Sequence, residues 1–66
     1  MTYCRTLTDY QVKNVLVNEA DRYHRHEGQG EVAVAAMELY HEAREELQAR
    51  GINPNEVLRE NGTRIL

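Results

Sequence analysis

The stretch YHRHEGQGEVAVAAM, Tyr23 to Met37, decides how this chain folds. Its second half can be read two ways. The alternation in EVAVAAM matches a half-buried strand, whereas Ala, Met, Leu and Glu all favour a helix. Length separates the readings: Val32, Ala36, Leu39, Tyr40, Ala43 and Leu47 recur at steps of three and four for about five turns, which a strand does not do. A helix is expected from about 31 to 50, ended by Gly51 in a left-handed cap. Gly28-Gln29-Gly30 then becomes the turn of an antiparallel helical hairpin, because glycines accept the positive φ a fast reversal needs.

Toward the N-terminus, Leu7-Thr8-Asp9-Tyr10-Gln11-Val12 carries helix-start chemistry. Thr8 can cap the free N–H groups, Gln11 occupies the reciprocal capping-box position and Leu7 can staple onto Val12. Asp9 suits the positive end of the helix dipole. The first helix should run from about 8 to 27, with Val12, Val15, Leu16, Ala20 and Tyr23 on one face. Counting outward from Gln29 sets Tyr23 against Ala35 and Ala36, Ala20 against Leu39, Leu16 against Ala43 and Val12 against Leu47. Large residues meet small ones at three of these four levels, as an interdigitated core requires. Beyond Gly51, Asn53-Pro54-Asn55-Glu56 repeats the start signal and predicts a short helix over 54–61 that stops at Gly62. Its Val57 and Leu58, with Ile52, are expected to close the open end of the hairpin against Tyr3 and Leu7. The expected fold is all-α, one small domain over residues 1–66.

A chain of 66 residues buries only about 60% of the surface its unfolded form exposes. Small domains of this kind commonly recruit a disulfide, a metal or a second subunit. Cys4 stands alone, so no disulfide can form within the chain, and a reducing compartment is the simpler reading. The opening MTYCRTL lacks the apolar run of a signal peptide, and no stretch is apolar for the roughly 18 residues a bilayer span needs. A cytoplasmic protein without a membrane role is expected. The sequon Asn61-Gly62-Thr63 has no use in that setting. Eleven acidic residues outnumber eight basic ones, for a net charge of -3, whereas a phosphate-backbone binder shows a basic face.

A second apolar strip lies to the side of the main one. Tyr10, Val17 and His24 fall one heptad apart on the first helix, and Val34, Met37 and His41 follow at three and four on the second. At about 100° per residue these six cannot all enter the intrachain seam, so something else should cover them. A second copy of the chain would do so in a two-fold four-helix bundle, giving a homodimer. A different protein could dock there instead, with Tyr and Met supplying adaptable area.

The candidate chemistry is thin. Glu38-Leu39-Tyr40-His41 is a Glu-x-x-His string of the sort found in bundle di-iron sites, with Glu19 at about the matching height. Glu38 and His41, however, lie opposite the Val32/Ala36/Ala43 stripe, on what reads as a solvated face. His24 and His26 diverge by about 200° on a helix and cannot chelate together. The histidines of the second strip make better pH sensors, so association through it is expected to weaken below about pH 6. Glu19 sits on the shoulder of the apolar face, either with its head group in water or paired to Arg22 or His26 of a neighbouring chain. No nucleophile elbow, phosphate loop or zinc knuckle occurs, and neither enzymatic activity nor a cofactor or metal is expected.

The function expected is that of a small regulatory protein, an inhibitor, anti-activator or adaptor that presents a helical surface to another protein. Bacterial and phage regulators of this length share that build. A nucleic-acid-binding dimer is the alternative, since the architecture resembles the small RNA-binding hairpin dimers of plasmid copy-number control. Lys13, Arg22, Arg25 and His26 would then make the contacts, opposed by Glu31, Glu38, Glu42, Glu45 and Glu46. A structural subunit of an assembly is the third possibility. The C-terminal Arg64-Ile65-Leu66 is expected to be disordered rather than captured.

Overall fold

The computed structural model describes residues 3–66. A 3-10 turn over Tyr3–Thr6 precedes three helices: α1, Asp9–Arg25; α2, Gly30–Ala49; and α3, Pro54–Glu60. The first two fold back on each other as the expected hairpin, and α3 packs across both. Starts follow the sequence signals. Thr8 Oγ1 accepts from the Gln11 N–H at 3.2 Å while Gln11 Oε1 accepts from the Thr8 N–H at 2.9 Å, a complete capping box. At α3, Asn53 Oδ1 accepts from the Asn55 N–H at 3.0 Å, and Pro54 opens the helix.

All three helices stop by one device. After α2, the Ile52 and Gly51 N–H groups donate to the carbonyls of Leu47 and Gln48; after α3, those of Thr63 and Gly62 donate to Leu58 and Arg59. After α1, those of Gly28 and Glu27 donate to Tyr23 and His24. Each is a Schellman motif, whose penultimate residue needs a left-handed backbone. Gly51 (φ 76) and Gly62 (φ 69) meet that need without strain, but α1 places Glu27 there, with φ 54.

The core runs along the seam and thickens at the open end, where α1 begins and α2 stops. Val12, Leu16 and Ala20 of α1, Tyr40, Ala43 and Leu47 of α2, Val57 and Leu58 of α3, and Cys4 form one buried cluster. One face expectation is corrected. Val32 is 43% exposed and Leu39 only half-buried, whereas Ala33 and Tyr40 are buried. The buried stripe of α2 is Ala33-Ala36-Tyr40-Ala43-Leu47, and Val32 lies about 100° round from Ala33. Ala36, Tyr40, Ala43 and Leu47 lie on that stripe as expected; only at the first turn does Ala33 take the place of the larger Val32, and Leu39 falls at its edge.

The open end is closed by an arginine that periodicity does not mark. Arg50, the C-terminal cap of α2, pairs with Glu46 at 2.8 Å and Asp9 at 2.7 Å. It also donates to the carbonyls of Leu7 at 2.8 Å, Cys4 at 3.2 Å and Arg5 at 3.3 Å. Its hydrogen bonds to Glu46 and Asp9 hold the guanidinium charge more firmly than usual. The Cys4 N–H in turn donates to Glu42 Oε2 at 2.7 Å. Leu7 and Ile52 pack against the core as expected; the side chain of Tyr3 lies outside the described part.

Arg44 ties α3 to α2, donating to Asn55 Oδ1 at 2.8 Å and to Tyr40 Oη at 3.2 Å. The expectation of a free C-terminal tail is corrected: Leu66 packs against the core, and His24 Nε2 lies 3.1 Å from the Arg64 carbonyl.

Candidate functional site

The six residues of the second strip share a flank, but the chain itself occupies much of it. Arg44, which binds α3, lies one heptad after Met37 and three residues after His41, hence on the same side of α2. His24, which holds the tail, lies one heptad after Val17 on α1. Val17 and Met37 are half-buried and pack against the core, and His24 is half-buried. Tyr10 is 73% exposed near the start of α1, Val34 is 61% exposed near the start of α2, and His41 is exposed. The uncovered apolar members thus stand at opposite ends of the strip.

At the turn end the exposed surface becomes concave. An open pocket of about 290 Å³ is lined by Tyr23, Gly28, Ala33, Val34, Met37 and Glu38. Sequence spacing brings Val34 and Met37 together; it assigns Tyr23 to the seam and Gly28 to the turn, and leaves Ala33 without a role. The pocket follows from the turn. Gly28 is left-handed (φ 71), and a methyl group built on it would meet the Tyr23 hydroxyl at 2.8 Å, so the backbone passes directly over the ring. The ring of His24 meets that of Tyr23 edge-on, with centroids 6.1 Å apart, which links the pocket wall to the residue that holds the tail.

Acidic groups border this pocket. Glu38 lines it, Glu31 lies one turn before Val34, and Glu27 precedes Gly28; all three are exposed and belong to none of the ion pairs among the described residues. The cations of α1 are placed elsewhere. Arg22 lies 3.4 Å from Glu19, and Arg25, two residues past Tyr23, points about 200° away from it.

Glu38 and His41 are exposed, away from the seam, and Glu19 does not join them. Glu19 is buried, at 7% exposure, with its Oε1 accepting no hydrogen bond and Arg22 of its own chain as the nearest cation. His26 is exposed. Among the described residues no group of three or more His, Cys, Asp or Glu side chains is placed to hold a metal ion, and no helix is long and apolar enough to cross a membrane. The Cys4 thiol is sealed in the core, and burial, reinforced by the charge of Glu42, pushes its pKa up to about 11. It is a packing residue held as the neutral thiol.

The fold is therefore a helical hairpin capped by a short third helix, with an apolar concavity beside its turn. Comparison of the chain with protein-family models, with curated proteins and with solved structures found no match.

Proposed function

We propose that this protein is a small cytoplasmic, non-enzymatic regulator that acts by binding another protein at the turn end of its hairpin. The observation that carries the reading is the pocket between Tyr23, Ala33, Val34 and Met37, beside a valine that is 61% exposed. Concave apolar surface that admits a side chain is where binding energy concentrates in helical recognition. The rest of the strip offers less, because α3 and the tail lie on its flank through the Arg44–Asn55 and His24–Arg64 contacts. A homodimeric four-helix bundle through the whole strip is for that reason the weaker reading, and a nucleic-acid partner is disfavoured by the acids that surround the pocket.

Capture from a host lysate tests the proposal. One protein should be retained by the native chain and lost with Val34→Asp and with Met37→Ser, the first of which should keep the native helical circular dichroism because Val34 is largely exposed. Retention of nucleic acid would overturn the reading. So would protein capture that survives both substitutions.

A further inference from the structure

The turn-end pocket has a chemical signature that narrows its occupant. Val34 sits between Glu31, three residues before it, and Glu38, four residues after it, so both carboxylates border it on the same face of α2. They stand seven residues apart, about 10 Å along the axis. α2 carries five glutamates against one arginine, Arg44, which is engaged with α3. On the turn side, Glu27 holds a left-handed backbone that glycine holds at the ends of α2 and α3.

A second copy of this chain fits poorly here. In an antiparallel two-fold contact centred at Val34, Glu31 of each copy falls within one residue, about 1.5 Å along the axis, of the height of Glu38 of the other, two like-charge encounters at the edge of a small apolar contact. An acidic or neutral apolar segment would fill the pocket but leave these carboxylates unpaired beside it. A basic one pairs them.

We infer that the occupant is a basic amphipathic helix of another protein, which inserts one apolar side chain between Tyr23, Ala33, Val34 and Met37 and sets Lys or Arg side chains about one heptad apart against Glu31 and Glu38. This rests on the docking reading above and names its partner. The charges set specificity and encounter rate, and the apolar side chain supplies most of the contact area.

The test uses the full chain and two labelled helical peptides of equal length and identical leucine pattern, one with lysine at every polar position and one with glutamate. Backbone and methyl NMR reports the site and fluorescence anisotropy the affinity. The lysine peptide should shift Val34, Met37 and Ala33, and should bind at least tenfold more weakly in 0.5 M salt and to Glu31→Gln/Glu38→Gln, whose surface substitutions leave the fold intact. The glutamate peptide should not bind. Equal binding of both peptides at Val34 would overturn the basic-partner inference while leaving a docking site in place. Lysine-peptide shifts confined to Glu42, Glu45 and Glu46, or shifts at neither surface, would overturn it outright. Shifts at Val34 that depend on the protein's own concentration would instead assign the pocket to a second copy.

Discussion

The two ends of the hairpin are built on opposite plans. At the open end four pieces of chain converge: the 3-10 turn, α1, α2 and α3 bury Cys4, Val12, Leu47, Val57 and Leu58 together, and Arg50 links residues 41 to 46 positions away from it. At the turn end α1 and α2 meet over small residues, with the C-terminal tail held at His24, one strained position and an open pocket. Stability in proteins is unevenly distributed, and surfaces that meet partners are drawn from its lower end. Here a domain with a small core concentrates its fastening at one end and leaves apolar surface free at the other.

The sharpest way to break that contrast is to truncate one residue at each end. Leu58→Ala should cost about 2–5 kcal/mol, enough to lower the melting midpoint of so small a domain by ten degrees or more at about 4–8 °C per kcal/mol. Val34→Ala should stay within about 0.5 kcal/mol. Comparable losses in urea titrations would show that the ends are equally fastened. The next effect is set by pH. Cys4 has a folded pKa near 11 against an ordinary 9.0, so the folded state keeps its proton where the unfolded state has lost it. The stability this gives is present below pH 9 and disappears as pH rises through 11. It amounts to no more than about 3 kcal/mol, two pKa units at about 1.4 kcal/mol each, and should be missing from the pH profile of Cys4→Ala.

Replacing Arg50 with Met should lower stability less than Leu58→Ala does, and more than the same change at exposed Arg59. It should also speed exchange of the Leu7 amide, which bonds the Cys4 carbonyl inside the Arg50 network. Unaltered exchange would mean the arginine is ornamental. At the turn end, Glu27→Gly should stabilise by about 1 kcal/mol by removing a left-handed side chain, whereas Glu27→Ala should not. The smallest effect is expected from His24→Ala, about 0.5 kcal/mol from one exposed hydrogen bond, seen as faster exchange confined to residues 64–66.

How far the fold could be read beforehand follows the same division. The starts of α1 and α3 and the stops of α2 and α3 were legible, because caps are local: Thr8 with Gln11, Asn53 with Pro54, and Gly51 and Gly62 each act within a few residues; α1 stops at Arg25, two residues before expected, because its left-handed position is a glutamate. The hairpin itself followed from Gly28 and Gly30. Most of the face of α2 was legible, Ala36, Tyr40, Ala43 and Leu47 being buried as expected; only its first turn was read one residue off, since hydrophobicity ranks Val32 above Ala33, while close packing of two helices favours the smaller side chain. Arg50 was invisible because its acceptors are carbonyls brought near by the fold, which leave no periodic trace. The pocket was half legible. Val34 and Met37 stood out as apolar residues off the seam, but its other wall depends on Gly28 passing over Tyr23, a matter of backbone path. The tail was misjudged because position near a terminus says nothing about whether a histidine waits for it.

Arg50 also imposes a sequence of events. Neighbouring helices that meet through a short turn find each other early, since their contacts are close along the chain. The segment from Cys4 to Leu7 has its main anchor more than forty residues downstream. It can settle only after α2 has wound to its last turn, which makes this segment among the last to take its place.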